Sequence, residues 1–177
     1  MADATGLDVG EQVQDVSETL VHPDGTTEEV SLSDLLDEGP VLLTFYTNDF
    51  SPDCVEEWCS FRDYDWFASG ETVQVIGASR SRAYTHEKFI DYLNLQFPLF
   101  ADTDLELASA FDVDYRVFKL VRRSRRSCFL LDTDGVVRYV WMSEHSLDPT
   151  RDKPPVSEIH EAIAEEFGDE GDEAFGF

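Results

Sequence analysis

The run Val41-Leu42-Leu43-Thr44-Phe45-Tyr46 constrains the fold more than any other stretch of the chain. It is short, continuously apolar, and bounded by Gly39-Pro40 before it and the polar segment Thr47 to Pro52 after it, the pattern of a buried strand. Val73-Gln74-Val75-Ile76-Gly77 repeats that pattern. Between the two, Cys54, Trp58 and Phe61 fall at i, i+4 and i+7, with Glu56, Glu57 and Arg62 assigned to other faces, which predicts an amphipathic helix. Strand, loop, helix and strand in that order point to an α/β fold.

The remaining segments extend the alternation. Short apolar stretches at Val13 to Val16 and Leu20 to Val30, the latter around the turn signal Pro23-Asp24-Gly25, predict strands in a hairpin arrangement. Ser31 to Leu36 reads as a capped short helix stopped by Gly39-Pro40. Helices are expected from Thr85 to about Leu95, near Asp104 to Phe111 and from Val156 to Phe167, with an apolar segment at Phe97 to Phe100. Cys128 to Leu131 and Val136 to Trp141 flank Asp132-Thr133-Asp134-Gly135, a hairpin signal. One domain over residues 1–167 is expected, with 168–177 a solvated, flexible acidic tail.

Charge decides what the chain meets. With 38 acidic against 13 basic residues the net charge is −25, which argues against a nucleic-acid partner. The acid is dispersed rather than blocked and only three cations are Lys, the pattern of proteins adapted to molar salt, where the Debye length falls to about 3 Å and self-repulsion is screened. No stretch approaches the roughly 20 apolar residues of a membrane span, and Met1 to Gly10 shows no secretory signal, so a cytoplasmic location is expected. Six cations (Arg116, Lys119, Arg122, Arg123, Arg125, Arg126) crowd into eleven residues. They read as a solvated loop with Arg126 the exception, or as a docking patch for an acidic reductase.

Cys54, Cys59 and Cys128 are too few for a disulfide framework, and the four His are too scattered for a metal site. Cys54 stands at the start of a helix directly after a buried strand, where backbone N–H groups and the helix dipole stabilise a thiolate. A small buried hydrophobe is the plainer alternative, against which stand the nearby Ser51 hydroxyl and Cys59 on the same helix. Cys128 reads as a buried strand residue, and His86 as a surface residue near a helix start.

Thr47-Asn48-Asp49-Phe50-Ser51-Pro52-Asp53-Cys54 resembles the peroxiredoxin motif P-x-x-x-[TS]-x-x-C, and Cys54 to Asp63 resembles its continuation C-x-x-E-x-C-x-F-R-D. Phe97-Pro98-Leu99-Phe100-Ala101-Asp102, Arg126-Ser127-Cys128-Phe129-Leu130-Leu131-Asp132 and Asp134-Gly135-Val136-Val137-Arg138 extend the likeness across nearly the whole chain. The second cysteine five residues on is similar to the Q-type, or bacterioferritin-comigratory, branch. Thr47 departs from the motif proline, which shields the reacting cysteine from water, and Cys128 replaces the usual Thr or Ser.

The resemblance implies a thioredoxin-like fold, a central mixed sheet flanked by helices with an N-terminal strand extension, and reduction of hydrogen peroxide and organic hydroperoxides. It implies Cys54 as peroxidatic nucleophile, Ser51 as the hydroxyl that binds peroxide, Arg126 as the cation beside the thiolate, Glu57 as the acid holding that arginine, and Cys59 as resolving thiol. No metal or organic cofactor is required, and a thioredoxin-like or other dithiol protein is the implied reductant of a monomer or homodimer. Five residues of ideal helix separate Cα atoms by roughly 8 to 9 Å, beyond the ~6.8 Å a disulfide tolerates, so the helix must open for Cys59 to reach Cys54. The rival readings are a thiol-disulfide oxidoreductase, for which C-x-x-C is expected, and a peroxide sensor that stops after one oxidation.

Overall fold

The computed structural model describes residues 6–46, 52–63, 73–117, 120–143 and 155–167. Strands β1 (Ser17–Val21) and β2 (Thr27–Ser31) lead into helix α1 (Leu32–Glu38), followed by β3 (Val41–Phe45) and α2 (Pro52–Asp63). Next come β4 (Gln74–Ser79), α3 (Ala83–Leu93), β5 (Leu99–Ala101) and α4 (Glu106–Ala110). The chain then forms β6 (Asp114–Val117), β7 (Val121–Ser124), β8 (Ser127–Leu131), β9 (Val137–Met142) and α5 (Val156–Phe167). Seven strands make one mixed sheet in the order β2-β1-β5-β4-β3-β8-β9, with β6 and β7 forming a separate hairpin. The pairs β3–β4 and β4–β5 are parallel and the others antiparallel.

The apolar run after Gly39-Pro40 forms an interior strand of the sheet, every residue of β3 being buried. Its alternation divides the core in two. Val41, Leu43 and Phe45 join Phe129, Phe111 and the α1 residues Leu32, Leu35 and Leu36 on one side. Leu42 and Tyr46 join Trp58 and Phe61 of α2, Phe89 and Ile90 of α3, and Ile159 and Ile163 of α5 on the other. Gly77 faces Trp58. A Cβ built there would lie 2.6 Å from Leu99 Cδ2 and closer still to Cζ2 of Trp58, so the missing side chain is what lets α2 lie against the sheet.

Capping and turn chemistry follow the sequence. The Ser31 hydroxyl accepts from Asp34 N at 3.1 Å to start α1. Both carboxylate oxygens of buried Asp102 accept from α4, at 3.0 Å from Leu107 N and 2.9 Å from Ala108 N. Asp132 Oδ1 accepts from Asp134 N at 2.9 Å and Val136 N at 3.0 Å, and Gly135 takes the left-handed φ of 79° that the β8–β9 turn needs.

Three expectations are corrected. Val13 to Val16 forms no strand. Val13 N donates instead to Gly135 O at 3.0 Å and Val16 O accepts from Leu32 N at 2.9 Å, so only β1 and β2 make the hairpin. The cationic segment expected as a solvated loop is the β6–β7 hairpin, with Asp114 opposite Ser124 and Arg116 opposite Arg122. His86, expected at the surface, is buried. Its Nε2 donates to Phe100 O at 2.9 Å and its Nδ1 lies 3.3 Å from the Tyr46 hydroxyl, so both ring nitrogens are satisfied inside the core. No helix among the described residues is long and apolar enough to cross a membrane.

Candidate active site

Helix α2 begins with Pro52, whose fixed φ and missing N–H suit the first helical position. Cys54 is the third residue of the helix, among the first four whose N–H groups have no intrahelical acceptor. The Cys54 side chain lies outside the described residues, as do Thr47 and Ser51 entirely. Cys59 sits on the same unbroken helix, half-buried and free.

One turn after Cys54, Glu57 points into the protein. Its side chain and that of Arg126 are both 0% exposed, and Arg126 Nη2 donates to Glu57 Oε2 at 2.6 Å. Charge alone assigns Glu57 to another helix face. Position i+3 from Cys54 in fact places it in the same stripe as Trp58 and Phe61. Arg126 precedes β8, whose Ser127 pairs with Phe45, so it stands at the end of β3 from which the chain leaves for α2. Its carbonyl accepts from Ser143 N at 3.0 Å, which fixes the backbone while the side chain reaches under the helix.

The electrostatics are those of a charge pair removed from water. Burial pushes the Glu57 carboxyl up to about 7, against the pull of the Arg126 charge and hydrogen bond. The guanidinium cannot shed its proton and is oriented by the carboxylate. Glu57 Oε1 has no hydrogen-bond partner among the described residues.

Cys128 stands apart from this chemistry. It is buried in β8, its Sγ 3.5 Å from the Thr44 hydroxyl, and burial first, then the Glu57 charge, pushes its thiol far above the usual value. That is the buried strand residue expected. Among the described residues no group of three His, Cys, Asp or Glu side chains could hold a metal ion. The contact that sequence reasoning missed is Tyr46–His86. Tyr46 directly follows β3 and packs edge-on against Trp58 of α2 at 5.6 Å between ring centres, and no spacing rule links residues 40 apart.

Known proteins place this geometry in a family. The AhpC/TSA family matches residues 9–140. A putative peroxiredoxin of Mycobacterium tuberculosis is 33% identical over 131 residues, covering 74% of this chain and 85% of that protein. Peroxiredoxin Bcp of Bacillus subtilis is 37% identical over 119 residues, covering 64% of this chain and 74% of its own. The crystal structure of peroxidoxin BcpB from Mycobacterium tuberculosis aligns with a TM-score of 0.70 at 28% identity, over 89% of this chain and 95% of that one. The chain therefore belongs to the AhpC/TSA family, in its peroxiredoxin Q (Bcp) branch, and is a thiol-dependent peroxidase with a thioredoxin-like fold.

Proposed function

We propose that Cys54 is the peroxidatic nucleophile, with Ser51, Arg126 and Glu57 as its supporting groups and Cys59 as the resolving thiol. The observation that carries this reading is the buried Glu57–Arg126 pair one turn below the start of α2. A thiol of ordinary pKa near 8.5 is only a few per cent ionised at neutral pH, and positive potential from a helix N-terminus and a fixed guanidinium raises that fraction. The Cys54 thiolate attacks the terminal oxygen of a hydroperoxide. The O–O bond breaks, sulfur is oxidised to the sulfenic acid, and the leaving oxygen takes a proton to depart as water or alcohol. Charge develops on that oxygen where Arg126, the Ser51 hydroxyl and the first N–H groups of α2 can receive it. The Cys59 thiol then displaces water from the sulfenic acid to form a disulfide, and a dithiol protein returns both sulfurs to thiols. Work in the cytoplasm, as monomer or homodimer, fits this cycle.

Stopped-flow peroxide consumption by two variants tests the assignment. Cys54→Ser should abolish it and Cys128→Ser should leave most of it, because the Cys128 thiol is held protonated in the core. Retained activity in Cys54→Ser would overturn the assignment of the nucleophile.

A further inference from the structure

In a chain with 38 acidic residues, four arginines beside the active-site end of the sheet have no carboxylate partner among the described residues. They are Arg80 and Arg82, which follow β4, and Arg116 and Arg123 of the β6–β7 hairpin. Arg80 Nη1 donates to Arg122 O at 2.9 Å, which ties the first group to the hairpin. Arg122 itself is answered by Asp114, Nη2 to Oδ2 at 2.7 Å. Arg116 stands directly opposite Arg122, a like-charge cross-strand pair that costs the hairpin stability. Leu120, between the two strands, is 85% exposed. The hairpin is anchored where the chemistry is. The Ser124 hydroxyl donates to Tyr46 O at 3.0 Å, at the end of β3, and Arg126 follows two residues later.

We infer that this hairpin, with Arg80 and Arg82, is the docking surface for the acidic dithiol protein that reduces the enzyme. The inference rests on the reading that a dithiol protein regenerates the Cys54–Cys59 helix. Any reductant must approach that end of the sheet. In a chain of net charge −25, this cluster of arginines offers an acidic protein cations at contact range among the described residues. Guanidinium groups suit carboxylates at contact range, because the planar fork binds both oxygens and does not depend on long-range attraction that salt removes. A small polar patch with one exposed apolar side chain matches the transient encounters of redox partners, which bury under about 1,200 Å². A second copy of the chain is the other acidic occupant, and the test separates it.

The experiment compares the wild type with R116E/R123E and with the neutral R80Q/R116Q/R123Q. Replacing Arg116 by Glu turns the like-charge pair with Arg122 into an opposite one, so the hairpin should keep its fold. Peroxide turnover is read with an acidic thioredoxin and, separately, with dithiothreitol. Binding of the same thioredoxin, with its second active-site cysteine changed to serine, is titrated directly. Expected are a fall in kcat/KM for the thioredoxin of at least tenfold in the charge-reversed variant, a smaller fall in the neutral one, weaker binding in both, and unchanged turnover with dithiothreitol. Unchanged kcat/KM and binding with the thioredoxin would overturn the proposal. So would an equal fall with dithiothreitol, or a wild-type homodimer that dissociates in the variants while thioredoxin turnover persists. Failure of the wild type to turn over with dithiothreitol would count against the cysteine cycle instead, and the binding titration would still decide the docking surface.

Discussion

Removing one member of the Glu57–Arg126 pair should cost different amounts depending on which member goes, and the difference should change with pH. Both side chains are fully buried and 2.6 Å apart. Glu57→Ala leaves a guanidinium that cannot lose its proton, and an orphaned buried charge costs about 3–5 kcal/mol. For a chain of this size that corresponds to a drop of about 6–20 °C in Tm. Arg126→Met leaves a carboxyl that can neutralise itself. Its ordinary value of 4.5 is already pushed up to about 7 by burial with Arg126 present, and loss of that charge and hydrogen bond raises it further. At pH 6 the variant should lose only about 1–3 kcal/mol, the cost of an unmet buried hydrogen bond.

The sign of the pH dependence follows from proton binding. The native state holds the Glu57 proton more tightly than the unfolded chain, so this group's contribution to stability declines as pH rises from 4.5 toward the native value of about 7. In Arg126→Met the decline continues above that value, at up to about 1.4 kcal/mol per pH unit. The gap between the two variants should therefore narrow from pH 6 to pH 8. Urea unfolding followed by circular dichroism at pH 6, 7 and 8, in constant KCl, measures it. Equal losses in both variants, or losses independent of pH in Arg126→Met, would refute the argument from an unscreened ion pair.

Three further outcomes follow from packing and charge. Gly77→Ala should destabilise the fold by about 1–3 kcal/mol and loosen α2, read as raised amide exchange over residues 55–62, because the new methyl group collides with Trp58 and Leu99. His86→Leu should cost about 1–3 kcal/mol in urea unfolding, as it leaves the buried Phe100 carbonyl without its donor. Thermal melts in rising KCl should show a higher midpoint at molar salt than at low ionic strength, given the net charge of −25, and a midpoint independent of salt would remove the reading of salt adaptation.

Most of the fold was legible because its signals are local. β3 announces itself by an apolar run between breakers, α1 by Ser31 and Gly39-Pro40, and the β8–β9 hairpin by Asp132 and Gly135. The β6–β7 hairpin was not legible, since charged residues at four of its eight positions hide the alternation that marks a strand. Charge alone misplaces Glu57 and His86 for one reason: a polar side chain is assigned to water unless its partner is known, and the partners, Arg126 and the Phe100 carbonyl, lie far off in the chain. For Glu57 the family motif supplied what charge concealed. The Tyr46–His86 contact had no such signal.

The proposed cycle turns on two cysteines of one helix, Cys54 and Cys59. Mass spectrometry of digests of the peroxide-treated wild type and of Cys59→Ser tests it most directly. A Cys54–Cys59 linkage within a single chain of the wild type is expected, with hydrogen exchange over residues 52–61 rising on oxidation as α2 opens. In Cys59→Ser, sulfinic acid should accumulate on Cys54 and dithiol-supported turnover should be lost. A Cys59→Ser protein that cycles normally, or a wild-type disulfide made through Cys128 or between two chains, would contradict it.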